Sequence, residues 1–497
     1  MTTDSRPRLS KSRFVAGWFC PNWLWWRVHE PDAIELQADA AGEDLMEQGQ
    51  RVGELARDRF PGGVLIDLPY DDYAGKIAAT RRAIDDGAPA IFEASFDHDG
   101  VFVAVDVLER DGAAWNAVEV KAANRVKHQY AVDAAIQLHV LRGVGLDIGR
   151  VELMHLNPEY VHPGHGDLFV REDITVRCLA LLLGIPDEIE AQRDMLAGPA
   201  PGLPFGDQCI DAHGCPFHDR CWPDGIGHVL RLHGKGVRRA LELMAEGYHE
   251  IRDLPDGHRA LDAIGRRQKL AFEAANLAVE PALARALDPL APPLGFLDFE
   301  TVARAIPVWD GLKPWGAIPV QFSYHRQDGD GALHHTAWLA DGPGDPRPAL
   351  ARALVEACLN ASRVLTYTGF EKRQIDHLIQ AVPELAYELD DLRSRLFDLH
   401  PVVRNHLYHP DFRGSFSIKA VLPVLVPELG YDDLAIAEGM TASVKAARLM
   451  LQGEAMDSDA RATLRTRLLE YCAMDTLAMV RLLERLRVVA GMAREPA

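Results

Sequence analysis

Asp298 and Glu300 stand two residues apart in Gly295-Phe-Leu-Asp-Phe-Glu-Thr301, an apolar run that predicts a buried strand. Side chains alternate faces along a strand, so both acids project the same way. Two carboxylates that close raise each other's pKa and cost folding energy unless a cation lies between them. The flanking Leu and Phe residues put the strand inside a sheet, where unpaired carboxylates are expensive. Divalent-metal binding fits this pattern better than a solvated strand end does.

A second constellation lies near the C-terminus. Leu469-Glu-Tyr-Cys-Ala-Met-Asp-Thr-Leu-Ala-Met479 reads as a helix, with Tyr471 and Asp475 four residues apart on one face. Alone, such a pair is common. Joined to the strand Asp-x-Glu, it resembles the DEDD 3'-5' exonucleases of the ribonuclease H-like fold, whose first motif is a strand Asp-x-Glu and whose last is a helical Tyr-x-x-x-Asp. The resemblance covers about residues 290 to 490. It implies that Asp298, Glu300 and Asp475 hold Mg2+ or Mn2+ and that Tyr471 orients the attacking water. The family also needs an acid between these motifs. In Val364-Leu-Thr-Tyr-Thr-Gly-Phe-Glu-Lys372, an apolar strand and a turn lead to Glu371, where the family usually has Asp after Phe. Asp398, in Leu396-Phe-Asp-Leu-His400, is the competing candidate.

The N-terminal half carries a different carboxylate pattern. Val101-Phe-Val-Ala-Val-Asp-Val-Leu108 and Trp115-Asn-Ala-Val-Glu-Val-Lys-Ala122 alternate as strands and flank a turn at Asp111-Gly112, which predicts a hairpin. Asp106 sits on the first strand; Glu119 and Lys121 share a face of the second. A cross-strand ion pair would account for the lysine. Asp followed by Glu-x-Lys also resembles the core of PD-(D/E)XK nucleases, which add a downstream helix bearing Gln, here His128-Gln-Tyr-Ala-Val-Asp-Ala-Ala-Ile-Gln137. That resemblance implies metal at Asp106 and Glu119, with Lys121 and Gln137 completing the site. The metal-binding histidine that many relatives carry on an N-terminal helix has no counterpart between Leu45 and Phe60. Glu93 is either a first-motif acid or a surface residue ending a helix.

Three of the 7 cysteines form the regular run Cys209-x5-Cys215-x5-Cys221, and Cys20 stands alone in Phe19-Cys-Pro-Asn-Trp23. With no secretion signal, disulfides are disfavoured. Clustered thiolates bind zinc or an iron-sulfur cluster, and His213 and His218 between the cysteines keep zinc open. One early Cys plus three after the nuclease core resembles the iron-sulfur staple of RecB-like and CRISPR-associated PD-(D/E)XK exonucleases, which implies a [4Fe-4S] cluster on Cys20, Cys209, Cys215 and Cys221. Cys178, Cys358 and Cys472 lie in apolar contexts and read as ordinary buried residues.

Placing these motifs takes more than one core. At 497 residues the chain suits two domains with a connector. Pro and Gly punctuate Trp222-Pro-Asp-Gly-Ile-Gly227, residues 228–288 read as helices broken at Asp253-Leu-Pro-Asp-Gly257, and a Pro-rich run at 289–293 precedes the acidic strand. The expected class is α/β: a RecB-like PD-(D/E)XK, restriction-endonuclease-like domain over 1–227, a helical connector over 228–288, and a ribonuclease H-like DEDDy domain over 289–492.

The net charge of −20 argues against duplex binding by phosphate neutralisation alone. It leaves a nuclease open, since metal sites are acidic by construction and bound cations invert the local field. Basic residues cluster at Arg6, Arg8, Lys11 and Arg13, and between Arg231 and Lys269, as a solvated face or a nucleic-acid track. No run reaches the ~18 apolar residues of a membrane span. Arg27 and the Trp-rich stretch spoil a signal peptide, so a cytoplasmic protein is expected. The order of motifs resembles an uncharacterised bacterial family that fuses the two nuclease types, and it implies metal-dependent phosphodiester hydrolysis in DNA processing or repair, with DNA a more natural partner than RNA. The alternatives are a nucleic-acid-binding scaffold with decayed sites and a phosphodiesterase acting on small nucleotides.

Overall fold

The computed structural model describes residues 7–211, 214–429 and 439–493, and the chain divides into two units of mixed α/β structure. The first comprises Met1–Trp222 with Arg304–Gly316, the second Pro223–Ala303 with Ala317–Ala497.

In the first unit the described strands are β1 (Leu9–Ser10), β2 (Val64–Leu65), β3 (Ala90–His98), β4 (Val101–Asp111), β5 (Ala114–Lys121), β6 (Ile148–Leu156) and β7 (Phe169–Asp173). They form one sheet in the order β2-β3-β4-β5-β6-β7, with β1 beside β4. Pairing is antiparallel in the β3-β4-β5 meander, parallel between β5 and β6, and antiparallel between β6 and β7. Alternation in β4 buries Val101, Val103 and Val105 in the main core and leaves Asp106 on the other face. Five helices matter for the site: α1 (Lys11–Phe19), α2 (Pro21–His29), α3 (Ala40–Arg57), α4 (Tyr73–Asp85) and α5 (His128–Gly143). The Ser10 hydroxyl caps α1 by accepting from the Arg13 N–H at 3.3 Å. Between α1 and α2 the chain is extended at Cys20, with φ −159°. Pro21 explains this: a proline pushes its predecessor out of the helical region and itself suits the first turn of a new helix.

In the second unit β9 (Leu294–Ala303), β10 (Ala317–Gln327), β11 (Leu333–Leu339), β12 (Arg363–Thr366) and β13 (Leu396–Asp398) form a sheet in the order β11-β10-β9-β12-β13, while β8 (Ala278–Val279) pairs with β14 (Leu407–Tyr408). β9 runs antiparallel to β10 and parallel to β12, which is parallel to β13. Leu297 and Phe299 pack in one core with Leu350 and Leu354 of the helix Arg347–Cys358 and Ile375 of the helix Phe370–Ala381. Phe296, on the opposite face, joins a core with Met479 and Leu483 of the long helix Ser458–Val489. By the same alternation Asp298 and Glu300 share the face of Phe296.

Two expectations about organisation meet a different arrangement. Residues 228–288 cluster with the second unit instead of standing apart as a connector, and the β9–β10 loop Arg304–Gly316 belongs to the first. Within that unit Arg304 pairs with Asp44 at 2.7 Å, the Ala305 N–H donates to Gln48 Oε1 at 2.6 Å, and the Trp315 indole donates to the Ala122 carbonyl at 2.8 Å. β11 follows β10 in a stretch for which the sequence predicts no strand. It is an edge strand with Leu333, His334, His335 and Thr336 exposed, so it lacks apolar alternation. No helix among the described residues is long and apolar enough to cross a membrane.

Candidate functional site

β9 and the long helix bring together the acids that are farthest apart in sequence. Ligand oxygens of Asp298, Glu300 and Asp475 all lie within 4.8 Å of one another. With Tyr471 and Lys419 these acids line a cavity of about 320 Å³. Burial, then Asp475, Glu371 and Glu300, push Asp298 well above the carboxylate range. Burial and Asp475 push Glu300 up to about 8. A half-buried to buried acidic cluster with this electrostatic penalty could hold a cation.

Glu371 lies in the first turn of the helix Phe370–Ala381. It is 2% exposed, and its Oε2 has no hydrogen-bond partner among the described residues. Burial, then Asp398 and Asp475, push it up to about 8. Asp398 is occupied otherwise: its Oδ1 accepts the N–H groups of Thr368 at 2.8 Å and His400 at 2.9 Å, capping the helix Leu399–His406. Of the two, Asp398 commits one oxygen to backbone N–H groups, and Glu371 keeps a buried oxygen without a partner among the described residues.

Sequence reasoning missed two groups here. Lys419 donates to the Tyr471 hydroxyl at 3.2 Å from the second position of the helix Ile418–Leu425, capped by Ser417. Its position in an apolar helix gave no sign of this. Cys472, read as an ordinary buried residue, is buried but also places Sγ 3.6 Å from Asp298 Oδ2.

The N-terminal constellation assembles differently. Glu119 Oε1 accepts from Lys121 at 2.5 Å and Lys11 at 2.8 Å, and Oε2 accepts from Gln137 at 2.6 Å. The same lysines reach Asp133, Lys121 at 2.7 Å and Lys11 at 3.4 Å. Burial alone would raise Glu119; the two ammonium groups outweigh it and hold the carboxyl far below its usual range. Asp106 accepts the Val120 N–H at 2.7 Å, and burial with the neighbouring Glu119 pushes it up to about 7. Lys11 was read only as part of a basic run, and Asp133 not at all. A signal for Asp133 existed, because it precedes Gln137 by four residues and shares its face of α5.

Glu93 is not at a helix end but on β3, where the register skips from Phe92 to Ala94. Its φ of 58° is a left-handed conformation, and such strain concentrates at functional sites. With Asp106 and with Gln50 and Glu54 of α3, it lines a cavity of about 470 Å³.

The fourth group is the cysteine set. Cys20 is buried and feels the charges of Cys209 and Cys221, and Cys215 feels all three others. Asn22 ties the two ends of the unit together: its side-chain amide donates to the Leu203 carbonyl at 2.7 Å and to Cys221 Sγ at 3.8 Å. The four thiols do not form a group converging within 4.8 Å. His218 faces Asp219 at 3.1 Å, and His213 lies outside the described residues.

A family model described as a domain of unknown function (DUF2779) matches residues 295–417, a span holding Asp298, Glu300 and Glu371 and ending before Lys419, Tyr471 and Asp475. No curated protein matches the chain.

Proposed function

We propose that the protein is a metal-dependent nuclease with two hydrolytic sites, a DEDDy-type 3'-5' exonuclease site in the second unit and a PD-(D/E)XK site in the first. The observation that carries the reading is the convergence of Asp298, Glu300 and Asp475, from opposite ends of the second unit's sheet-and-helix core, onto one cavity. The strand order β11-β10-β9-β12-β13, with three antiparallel strands followed by two parallel ones, is the order expected of a ribonuclease H-like sheet and supports that assignment. A decayed site would have no reason to keep one buried and two half-buried acids that repel one another.

The carboxylates fit Mg2+ or Mn2+ by hardness and charge. Asp298, Glu300 and Asp475 would hold it, with Glu371 beside them, and the ions would polarise the phosphate and lower the pKa of water. The protein's own part is positional. Lys419 donates to the Tyr471 oxygen, which leaves the phenolic hydrogen to orient a water. Burial, then Asp475 and Glu300, raise the Tyr471 pKa, so the phenol remains a donor at neutral pH. In the first unit Lys121 is held in its charged form by Glu119 and Asp133 against the opposing effect of burial, and it serves as the cation for developing phosphate charge.

The cysteine set offers four free thiols, Cys20 from before the sheet and Cys209, Cys215 and Cys221 from after it. A [4Fe-4S] cluster on these four would staple the two segments together, with zinc as the alternative.

The deciding experiment incubates purified protein with end-labelled single- and double-stranded DNA and RNA, with Mg2+ or Mn2+ and with EDTA. Metal-dependent shortening from the 3' end that disappears in Asp298→Ala is the expected result. Absence of cleavage on every substrate would leave the nucleic-acid-binding scaffold.

A further inference from the structure

Beside the Glu119 site, on the side of α1 and α2, lies a second cavity of about 370 Å³ lined by Lys11, Lys121, Arg27, Phe19, Trp23 and Tyr130, with Asp133 at its edge. Its make-up stands out in a chain of net charge −20. Lys11 and Lys121 are engaged by Glu119 and Asp133, but Arg27 is partly buried and forms no ion pair or hydrogen bond among the described residues. Burial, and then the neighbouring Arg13, depress its pKa. A half-buried guanidinium with no anion is costly unless an anion arrives from outside.

The aromatic groups add a second requirement. The Trp23 indole N–H is buried without a hydrogen-bond partner among the described residues. Tyr130 offers a ring face already approached by Lys121 at 5.4 Å and Lys127 at 5.9 Å. Cations interleaved with aromatic faces are how proteins hold single-stranded nucleic acid, phosphates on the cations and bases stacked on the rings. The volume lies near the lower end of the ~300–1,000 Å³ range that admits a small molecule, which suits one unstacked nucleotide and excludes a duplex.

We propose that this cavity binds one nucleotide of a single-stranded nucleic acid, its phosphate between Arg27 and the two lysines and its base against Trp23 or Tyr130, and so feeds the strand to the Glu119 site. The assignment rests on reading the first unit as acting on nucleic acid. The backbone N–H groups of Asn22 and Trp23 donate to Cys20, so the cysteine site and this cavity share one helical turn.

The test is fluorescence anisotropy of a short fluorescein-labelled oligothymidylate with the full chain in EDTA, where nothing is cleaved. Arg27→Glu lowers affinity about tenfold or more and reduces the salt slope by roughly 0.7 for one lost phosphate contact on a single strand, while Arg27→Lys restores most of both. Should Arg27→Glu fail to fold, the wild-type protein still answers: an iodouracil-substituted strand photocrosslinks to peptides containing Trp23 or Tyr130. Crosslinks confined to other segments, or unchanged binding and salt slope in a folded Arg27→Glu, overturn the proposal. If that happens while Lys121→Ala still removes cleavage in an Asp298→Ala background, the nuclease reading stands without the cavity. If the crosslinks map to the cavity while Asp298→Ala protein cleaves nothing, the cavity stands and the first unit binds without cutting.

Discussion

Glu119 and Glu300 are both buried carboxylates on interior strands, yet Glu119 is held far below its ordinary range and Glu300 is pushed up to about 8. The difference lies in what the fold places opposite them. Around Glu119 the protein supplies its own cations, Lys11 and Lys121, together with the Gln137 amide. Around Glu300 it supplies more acid, and the nearby Lys419, which also donates to Tyr471, only partly offsets burial and Asp475. The first arrangement is neutralised from within; the second gathers acids that a cation from solution would neutralise. On the function proposed above, a single chain pairs a site preorganised by its own lysines with one whose stability and activity are tied to metal.

That contrast breaks most sharply under paired substitutions. Asp298→Ala removes a ligand and should lower cleavage by the second unit at least about 10³-fold, several kcal/mol of lost charge stabilisation. Lys121→Ala should leave metal binding nearly intact and cost on the order of 10² to 10³ in rate from the first unit alone. End-labelled cleavage ladders check both: each single variant keeps the other unit's pattern, and the double variant is inactive. If Asp298→Ala abolishes all cleavage while Lys121→Ala changes nothing, the two-nuclease reading fails.

The cysteine set sharpens the comparison through stability. Cys221→Ser should strip iron and brown colour and lower the unfolding temperature of the first unit, leaving the second unchanged, as resolved by calorimetry with iron analysis. Stoichiometric zinc without iron would refute the cluster.

Stability against pH should separate the units as well. Glu300 and Glu371 titrate near 8 in the folded protein and near 4.3 when unfolded. The folded state thus favours their protonated forms. The stability this confers is complete below about pH 4.3, declines as the unfolded chain ionises, and is gone above about pH 8. Raising metal-free protein from pH 6 to pH 8.5 should lower the melting of the second unit by roughly 5 °C or more, and Mg2+ or Mn2+ should reverse much of the loss. A flat profile would remove the electrostatic basis of the site.

The smallest effect separates Glu371 from Asp398. Glu371→Gln should reduce cleavage about 10- to 100-fold with little loss of stability, because a neutral amide of the same shape replaces a carboxyl that the metal-free fold already favours as neutral. Asp398→Asn should leave the rate within about twofold, since Asn also caps helices. The reverse ranking, measured under single-turnover conditions, would exchange their roles.

Much of this architecture was legible in local pattern. Period-two alternation set Asp298 with Glu300 and Glu119 with Lys121, and helical spacing set Tyr471 with Asp475, because those relations are fixed by backbone geometry over a few residues. What the sequence could not determine was which distant segments meet. Lys11 reaches Glu119 across 108 residues, and Lys419 reaches Tyr471 across 52, because sheet order and helix packing put them there. Nor could it tell that Asp398 caps a helix while Glu371 is buried near Asp475, since both depend on packing. The sequence by itself named most of the charged groups; the tertiary structure decided which of them are paired with two lysines and which mainly meet other acids.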